Sequence, residues 1–502
     1  MNKRIIIISL LGLVLLPGGL VVAAKNNNAP SAADDCIPVT SALTPIQWEY
    51  ADLASNKAWE KRFPPGKKIT SEQSGHADPI PLSRQSLKNL NPYKQALDQL
   101  IGPIPDNCSP LHLTISPTDV RLTAEQMSTG HIIPLIATST TDGTTSAIGY
   151  RMLPHNLDGQ AAAGDSARLF YLTYQDAVQQ RIAGYLLVPE DRSGQLRTGP
   201  LPGVIALHQT LTTCGKREQI DSCPDGGLPW TAFGQEFARR GFVVLTFDAP
   251  NFGESFDENT PNTLEYNSPT IQGILKKYPR ASEVGAELMY IQRSITALTT
   301  QSVVTIGKLG IIGHSKGGTM SLLAKVYFPK IVAAISNAPG LHLFRYDDLP
   351  IFPNGLKGSV ARWGGWGYLP EMGRYRGRLK DLPLDVQHIY ALAVKNGALF
   401  TVQVQDDGFP PKASNYWKSI DFLNRETTRV APILKGEYRY GVVKSGYFDP
   451  DGKKCYDAAG KNLAKLSKCI TTFGYQHGVY PKVITPLIDQ MEHILKSGKL
   501  SS

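Results

Sequence analysis

The stretch KLGIIGHSKGGTM, residues 308–320, decides how this chain folds. It opens with an apolar run of the kind that forms a strand buried on both faces of a sheet. Two glycines, Gly313 and Gly317, then flank Ser315, and a helical pattern follows. Glycine is costly inside regular structure, so its use at this spacing predicts a tightly constrained turn between the strand and the helix.

From about residue 165 onward, strand patterns alternate with helical patterns. Residues 167–189 are typical of two strands joined by a turn, because β-branched and aromatic residues lie on both sides of a polar break. Buried-strand patterns follow at 201–210, 242–250, 308–315, 331–340 and 398–407, and helical patterns at 230–241, 282–299, 316–328 and 481–498. This alternation predicts an α/β fold with a mostly parallel sheet covered by helices on both faces.

Length and charge limit the possible partners. The chain has 502 residues and a formal net charge of +9, from 52 Lys and Arg against 43 Asp and Glu. The charges are scattered, without a Lys/Arg run of the kind that binds nucleic acid. We therefore expect no nucleic-acid partner. The length allows one large domain with additional elements, or two domains.

The first residues have the pattern of a secretory signal peptide. A basic start at residues 3–4 precedes an apolar run, a Pro-Gly-Gly break at 17–19 and small residues at 22–24. An uncleaved anchor is the alternative, since residues 5–24 are long enough to span a membrane. The break favours cleavage after residue 24, which predicts a secreted or periplasmic protein without a stable membrane anchor. Residues 25–164 are an accessory region without an assignable role, and residues 165–497 form the main domain.

The cysteine pattern agrees with export. The expected mature chain holds an even number of cysteines, which in an exported protein indicates disulfides. They are Cys36, Cys108, Cys214, Cys223, Cys455 and Cys469. Six cysteines allow 15 pairings, and nearest neighbours give the simplest one: 36–108, 214–223 and 455–469. No cysteine and histidine cluster has zinc-ligand spacing, so we expect neither a metal site nor another cofactor.

The strand–turn–helix context suggests what Ser315 does. A serine on such a turn stands exposed above the sheet, and the N–H of Lys316 and the helix N-terminus favour negative charge beside it. This is the setting of a nucleophile. A nucleophilic serine needs a base, which in this architecture comes after the acid in the chain. His477, in a glycine-bounded loop, is the better candidate, because His493 lies within the last amphipathic helix.

The candidates for the acid and for the second oxyanion donor lie in the loops directly after two predicted strands. Asp406 comes first after the strand at 398–405 and is the preferred acid, and Asp407 is the alternative because a slip of one residue reverses side-chain direction. The second N–H should come from the loop after the strand at 201–207. There Gln209 is preferred and Thr210 comes next, while His208 is expected to be a structural hydrogen-bonding residue.

Several stretches together resemble a known family. The segments ALHQT…GKRE, FARRGFVVLTFDAPNFGES, IGHSKGG, DLPLDVQHIYAL and QDDGFPP, within residues 165–497, resemble the bacterial α/β-hydrolases grouped with acetyl-xylan esterases and dienelactone hydrolases. The resemblance implies an α/β-hydrolase fold and a serine esterase with Ser315, Asp406 and His477 as its catalytic triad. Dienelactone hydrolases themselves use cysteine as the nucleophile, and this chain has serine instead.

The predicted function is ester hydrolysis. Residues 340–380 are long for a connection between two strands, which is typical of a lid-like insertion. Its aromatic residues are Trp363, Trp366, Tyr368 and Tyr375. They could bind a sugar or an anionic or aromatic acyl group, and the alternative is that they only pack against the protein core. We predict an exported serine hydrolase that cleaves small-molecule or carbohydrate carboxylic esters through an acyl-enzyme. The alternatives are a serine peptidase on the same fold and a catalytically silent binding protein.

Overall fold

The structure is a computed structural model. It describes residues 81–105, 109–118, 130–138, 144–157, 161–210, 213–220, 231–256, 268–341, 343–344, 368–375, 381–404, 414–443 and 479–500. The predicted signal peptide and the rest of the chain up to residue 80 lie outside these residues, as does the segment 446–469. Among the described helices, none combines the length and the apolar character needed to cross a membrane.

One sheet of eleven strands organises the described residues. In chain order the strands are β1 (Thr114–Ser116), β2 (Ile132–Thr138), β3 (Thr145–Met152), β4 (Ala167–Gln175), β5 (Arg181–Pro189), β6 (Leu201–Leu207), β7 (Val243–Phe247), β8 (Val304–His314), β9 (Ile331–Asn337), β10 (Ala398–Val404) and β11 (Glu437–Val443). Their order across the sheet is β11-β10-β9-β8-β6-β7-β5-β4-β3-β2, and β1 pairs with β4.

Strand directions confirm the predicted fold class. The pairs from β7 through β6, β8, β9 and β10 to β11 are all parallel. Strand β5 runs antiparallel to β4, as the predicted hairpin of residues 167–189 requires, and it is also antiparallel to β7. The order and directions of β4 to β11 are those of an α/β-hydrolase fold.

Helices cover both faces of the sheet. They are α1 (Arg84–Lys88), α2 (Asn91–Ile101), α3 (Phe233–Arg239), α4 (Pro269–Lys277), α5 (Glu283–Thr299), α6 (Lys316–Tyr327), α7 (Val386–Val394), α8 (Ser414–Val430) and α9 (Pro481–Ser497). Alternate residues of β6 belong to different core clusters. Ile205 shares a cluster with Leu288 of α5, whereas Val204 shares one with Phe237 of α3 and Ile488 of α9. The sheet therefore separates two apolar layers, as alternation along a strand requires.

The region before residue 165 adds to the same sheet. Strand β3 pairs antiparallel with β4, with Met152 opposite Ala167. Helix α2 contributes Leu97 and Leu100 to the core cluster of α5. The predicted boundary at 164/165 stays a prediction as a statement about domains, but strands on both sides of it share one sheet.

Two features of the sheet depart from the sequence pattern. Strand β8 begins at Val304, four residues before the predicted strand at 308–315, and β11 has no continuous apolar pattern. Within the described residues β11 pairs with β10 alone, so it is an edge strand of this sheet. Its residues Arg439 and Tyr440 are exposed, which explains why the rule for buried parallel strands does not predict it.

The predicted lid is described only in part. Residues 370–375 form a 3₁₀ helix, and Met372 within it is buried. Tyr368 and Tyr375 pack partly buried against the main core, which favours a packing role for these two aromatic residues. Trp363 and Trp366 lie outside the described residues, so their role stays a prediction.

Candidate active site

Ser315 occupies a sharp turn between β8 and α6. Its backbone has φ 55° and ψ −119°, in a region that residues with a side chain rarely adopt. Such a conformation costs about 1–3 kcal/mol and persists only where the surroundings enforce it. Two backbone hydrogen bonds do so: the N–H of Ser315 donates to Asn337 at 2.9 Å, and its carbonyl accepts from Thr319 at 3.0 Å.

Glycines around the serine permit this turn by close approach. A Cβ atom on Gly313 would collide with the backbone of Gly317. One on Gly317 would lie 2.7 Å from the carbonyl oxygen of His208, and one on Gly318 would lie 2.5 Å from that of Asn337. The start of α6 is thus wedged between the ends of β6 and β9, and any side chain at these positions would open the turn.

Lys316, whose N–H is a predicted oxyanion donor, is the first residue of α6. The first N–H groups of a helix have no partner within that helix and favour negative charge nearby. The Lys316 side chain is 9% exposed and lies over the ring of Phe252, with Nζ 4.7 Å from the ring centroid. Its ammonium group pairs with Glu283 at 3.0 Å and Glu287 at 3.1 Å, which ties the turn to α5.

The loop after β6 lies directly beside Ser315. Leu207 pairs with Gly313 across the sheet, and the carbonyl of His208 packs on Gly317. The His208 ring bonds Gln209 through Nδ1 at 2.6 Å and accepts the N–H of Ala249 through Nε2 at 3.0 Å. These bonds assign the tautomer with the proton on Nδ1. His208 is therefore the structural residue that its sequence position predicts.

Glu218 is a site residue that the sequence does not reveal. It lies in the 3₁₀ helix Gly215–Gln219 and is fully buried. Its carboxylate accepts the main-chain N–H of Gln209 at 2.9 Å and the side-chain amide of the same residue at 2.5 Å. Burial raises the pKa of Glu218, and hydrogen bonds from Gln209 and Thr231 oppose that rise. The Gln209 N–H, the preferred second oxyanion donor, is thus already engaged by a carboxylate.

A buried ionic cluster fixes the same 3₁₀ helix to β7. Asp248, just after β7, accepts the N–H of Lys216 at 2.8 Å and its ammonium group at 2.6 Å. The ammonium also donates to Glu254 at 2.7 Å. Burial alone would raise the pKa of Glu254, but the charge and hydrogen bond of Lys216 hold it below its usual value. In the sequence, only the charged run at residues 216–218 points to this cluster. The sequence alone does not show that these charged side chains are buried.

The predicted acid and base lie outside the described residues, so Asp406, Asp407 and His477 have no structural account. The chain on either side of them is described. Strand β10 ends at Val404, and Val479 precedes α9; both are buried and belong to one core cluster. His493, the histidine set aside from the sequence, is exposed on α9.

The cysteine and metal predictions are tested only in part. Cys214 is the one cysteine within the described residues; it is buried and is not a free thiol. Its predicted partner Cys223 lies outside them, so the pairing stays a prediction, as do the pairings 36–108 and 455–469. No group of three or more His, Cys, Asp or Glu side chains suited to a metal occurs in the described part of the chain.

Comparison with known proteins gives structural neighbours at low identity. No family model and no curated protein matches the chain. A CE15 glucuronoyl esterase from Teredinibacter turnerae is 14% identical, with a TM-score of 0.45 over 76% of this chain and 84% of that one. A glucuronoyl esterase from Solibacter usitatus is 12% identical, with a TM-score of 0.45 over 78% and 94%. Acetyl xylan esterase 1 from Thermoanaerobacterium is 14% identical, with a TM-score of 0.36 over 78% and 96%.

Proposed function

We propose that this protein is an exported serine hydrolase that cleaves carboxylic esters through an acyl-enzyme. The observation that carries the proposal is the backbone of Ser315 at the carboxyl end of β8, held at φ 55° by two backbone hydrogen bonds in a turn that three closely packed glycines permit. Strained backbone is tolerated where function needs it, and this position is the nucleophile position of the α/β-hydrolase architecture.

The reaction begins with attack of the Ser315 hydroxyl on the ester carbonyl carbon. His477 takes the hydroxyl proton, and Asp406, or Asp407 in the alternative, orients the imidazole and stabilises its charge. The resulting oxyanion accepts hydrogen bonds from the N–H of Lys316 and from a second N–H in the loop 208–210. The alcohol leaves with the proton from His477. Water then attacks the acyl group by the same steps and releases the carboxylic acid.

The sheet supports this assignment of roles. The nucleophile follows β8, the acid candidates follow β10, and His477 follows β11 and precedes α9. These strands are parallel, so their carboxyl ends lie along one edge, where ligands bind in open α/β sheets. The proposal takes Asp406 as the acid, His477 as the base and a small-molecule or carbohydrate ester as the substrate. It also includes cleavage after residue 24 and the three predicted disulfides.

Ester hydrolysis is tested on the full mature chain with p-nitrophenyl esters, acetylated xylan and peptide amides, together with labelling by a fluorophosphonate. We expect ester turnover and labelling at Ser315, and Ser315→Ala should lower kcat by at least about 10⁴-fold because the triad acts as a unit. Labelling elsewhere, or full activity of Ser315→Ala, contradicts the proposal. In the same assay Asp406→Asn should be the inactive variant and Asp407→Asn the active one, and the reverse result assigns the acid to Asp407.

A further inference from the structure

We propose that Glu218 is a positioning residue of the oxyanion hole, and that it leaves Thr210 rather than Gln209 to supply the second N–H. The inference rests on the proposed esterase function and deepens it. In the loop after β6, the N–H of Gln209 is at the position that the sequence favours for the second oxyanion donor, yet it donates to the carboxylate of Glu218.

The two oxygens of Glu218 hold one residue at two points. Oxygen Oε2 accepts the main-chain N–H of Gln209, and Oε1 accepts its side-chain amide. This grip fixes both the peptide plane and the side chain of Gln209. The carboxylate is fully buried, so water does not compete for either bond. Because the Gln209 N–H already donates to Glu218, it cannot also donate to a developing oxyanion.

The next N–H along the loop is available. Thr210 is exposed, and its N–H donates to no acceptor among the described residues. One residue before Gln209, the carbonyl of His208 packs on Gly317, two residues beyond the nucleophile. The loop therefore passes Ser315 closely, with the N–H of Gln209 bound to Glu218 and that of Thr210 without an acceptor in the part of the chain that the structure describes.

The support beneath Glu218 is rigid. Two residues earlier in the same 3₁₀ helix, Lys216 is bound through its N–H and its ammonium group to the two oxygens of Asp248. The ring of His208 reaches the N–H of Ala249, next to Asp248. The loops after β6 and β7 are thus joined on both sides of Gln209. A pre-organised donor gives its full benefit only when its loop is held in this way.

The test compares two substitutions of Glu218 in the full chain. Glu218→Met removes the acceptors at similar size and leaves the Gln209 N–H without its partner. We expect kcat for a p-nitrophenyl ester to fall by about 100-fold with KM changed less than about threefold, the signature of a lost oxyanion donor. Glu218→Gln should lose less than about tenfold, because its amide oxygen accepts the N–H and the Gln209 amide can flip to meet its nitrogen.

The control is Glu236→Met, which removes another buried glutamate, one in α3 that binds Arg239 and the following residue Arg240. It should lower the melting temperature while kcat per folded, phosphonate-titrated site changes less than about threefold. The proposal is overturned if Glu218→Met keeps its kcat, because Glu218 would then have no positioning role. It is also overturned if kcat rises, because the released Gln209 N–H would then be the oxyanion donor. It is also overturned if Glu218→Gln loses as much as Glu218→Met. Absence of ester turnover in the unmodified protein would instead reject the proposed function.

Discussion

At the scale of single residues, Lys325 in α6 is a buried lysine that takes no part in the proposed reaction. It lies towards the end of the helix, away from Ser315, and only 7% of its surface is exposed. Its Nζ is 2.6 Å from the place where a Cβ atom on Gly397 would stand, so this glycine leaves the room for it. Burial lowers the pKa of Lys325 from 10.5 to about 8. The native state therefore holds this ammonium at a cost.

Lys325→Met should stabilise the protein at neutral pH. The folded pKa is lower than the unfolded pKa, so the unfolded chain binds more protons between about pH 8 and pH 10.5. Wild-type stability should rise with pH across that window and lose this contribution as the pH falls through about 8. We expect Lys325→Met to raise the free energy of unfolding by about 3 kcal/mol at pH 7. The gain should shrink towards pH 10.

Urea unfolding at pH 7, 8, 9 and 10 measures this difference. Lys418→Met, at an exposed position of α8, is the control and should change the free energy of unfolding by less than about 0.5 kcal/mol. A stabilisation by Lys325→Met that is the same at every pH would show that packing, and not the charge, is responsible.

At the scale of elements, glycines set how closely the helices approach the sheet. Helix α6 meets β9 at Gly318, whose carbonyl accepts the hydroxyl of Ser336 at 2.8 Å. Helix α9 meets β8 at Gly310, where the opposing atoms are the side-chain ends of Met491 and Leu495. The first contact is against backbone, which cannot move alone, and the second is against flexible side chains.

Alanine at these two glycines should therefore have different effects. Gly318→Ala places a methyl group 2.5 Å from the Asn337 carbonyl oxygen, so we expect a loss of about 1–3 kcal/mol in stability. It should also reduce kcat, because the same carbonyl of Asn337 holds the N–H of Ser315. Gly310→Ala is the matched variant and should keep kcat within about threefold, since the end of Met491 can turn aside. Equal loss of kcat in both variants would contradict this account of the contact.

At the scale of the whole molecule, the chain before residue 165 is bound into the main core. Leu97 in α2 is fully buried in the cluster that also contains α5 and α7. Polar contacts reinforce the packing: Arg429 donates to the carbonyl of Leu82, and Arg293 donates to the carbonyls of Ser109 and Pro110 at 2.6 and 2.8 Å. These contacts join helices α5 and α8 to the N-terminal segment.

Leu97→Ala should destabilise the whole molecule rather than a local part. Loss of a fully buried leucine costs about 2–5 kcal/mol. We expect a single unfolding transition, seen together by far-ultraviolet circular dichroism and by loss of ester turnover, at a lower denaturant concentration. Gln95→Ala, on the exposed side of the same helix, is the control and should leave the midpoint unchanged. Two separate transitions in Leu97→Ala would indicate that residues 25–164 fold as an independent domain.

Much of the sheet could be predicted because its central strands are mostly apolar. Strands β6 to β10 each lie between two neighbours, and burial on both faces leaves a continuous pattern in the sequence. The sharp turn at Ser315 was also predictable, because glycines stand at the positions where the backbone approaches too closely for a side chain. Edge strand β11 was not, and neither was Glu218, because its role depends on burial by residues far away in the chain. Asp406 and His477 remain predictions from chain order.

The wedge of α6 between β6 and β9 has a consequence for how the chain acquires activity. Strand β6 is complete at residue 207, whereas β9 ends at residue 337, so the two walls of the wedge are synthesised 130 residues apart. Until both are in place, nothing holds Ser315 at a positive φ, and its backbone relaxes to an ordinary conformation. A nascent or partly folded chain therefore lacks the strained turn at Ser315. Under the proposed function, we expect hydrolytic activity to arise only when the middle of the sheet has closed.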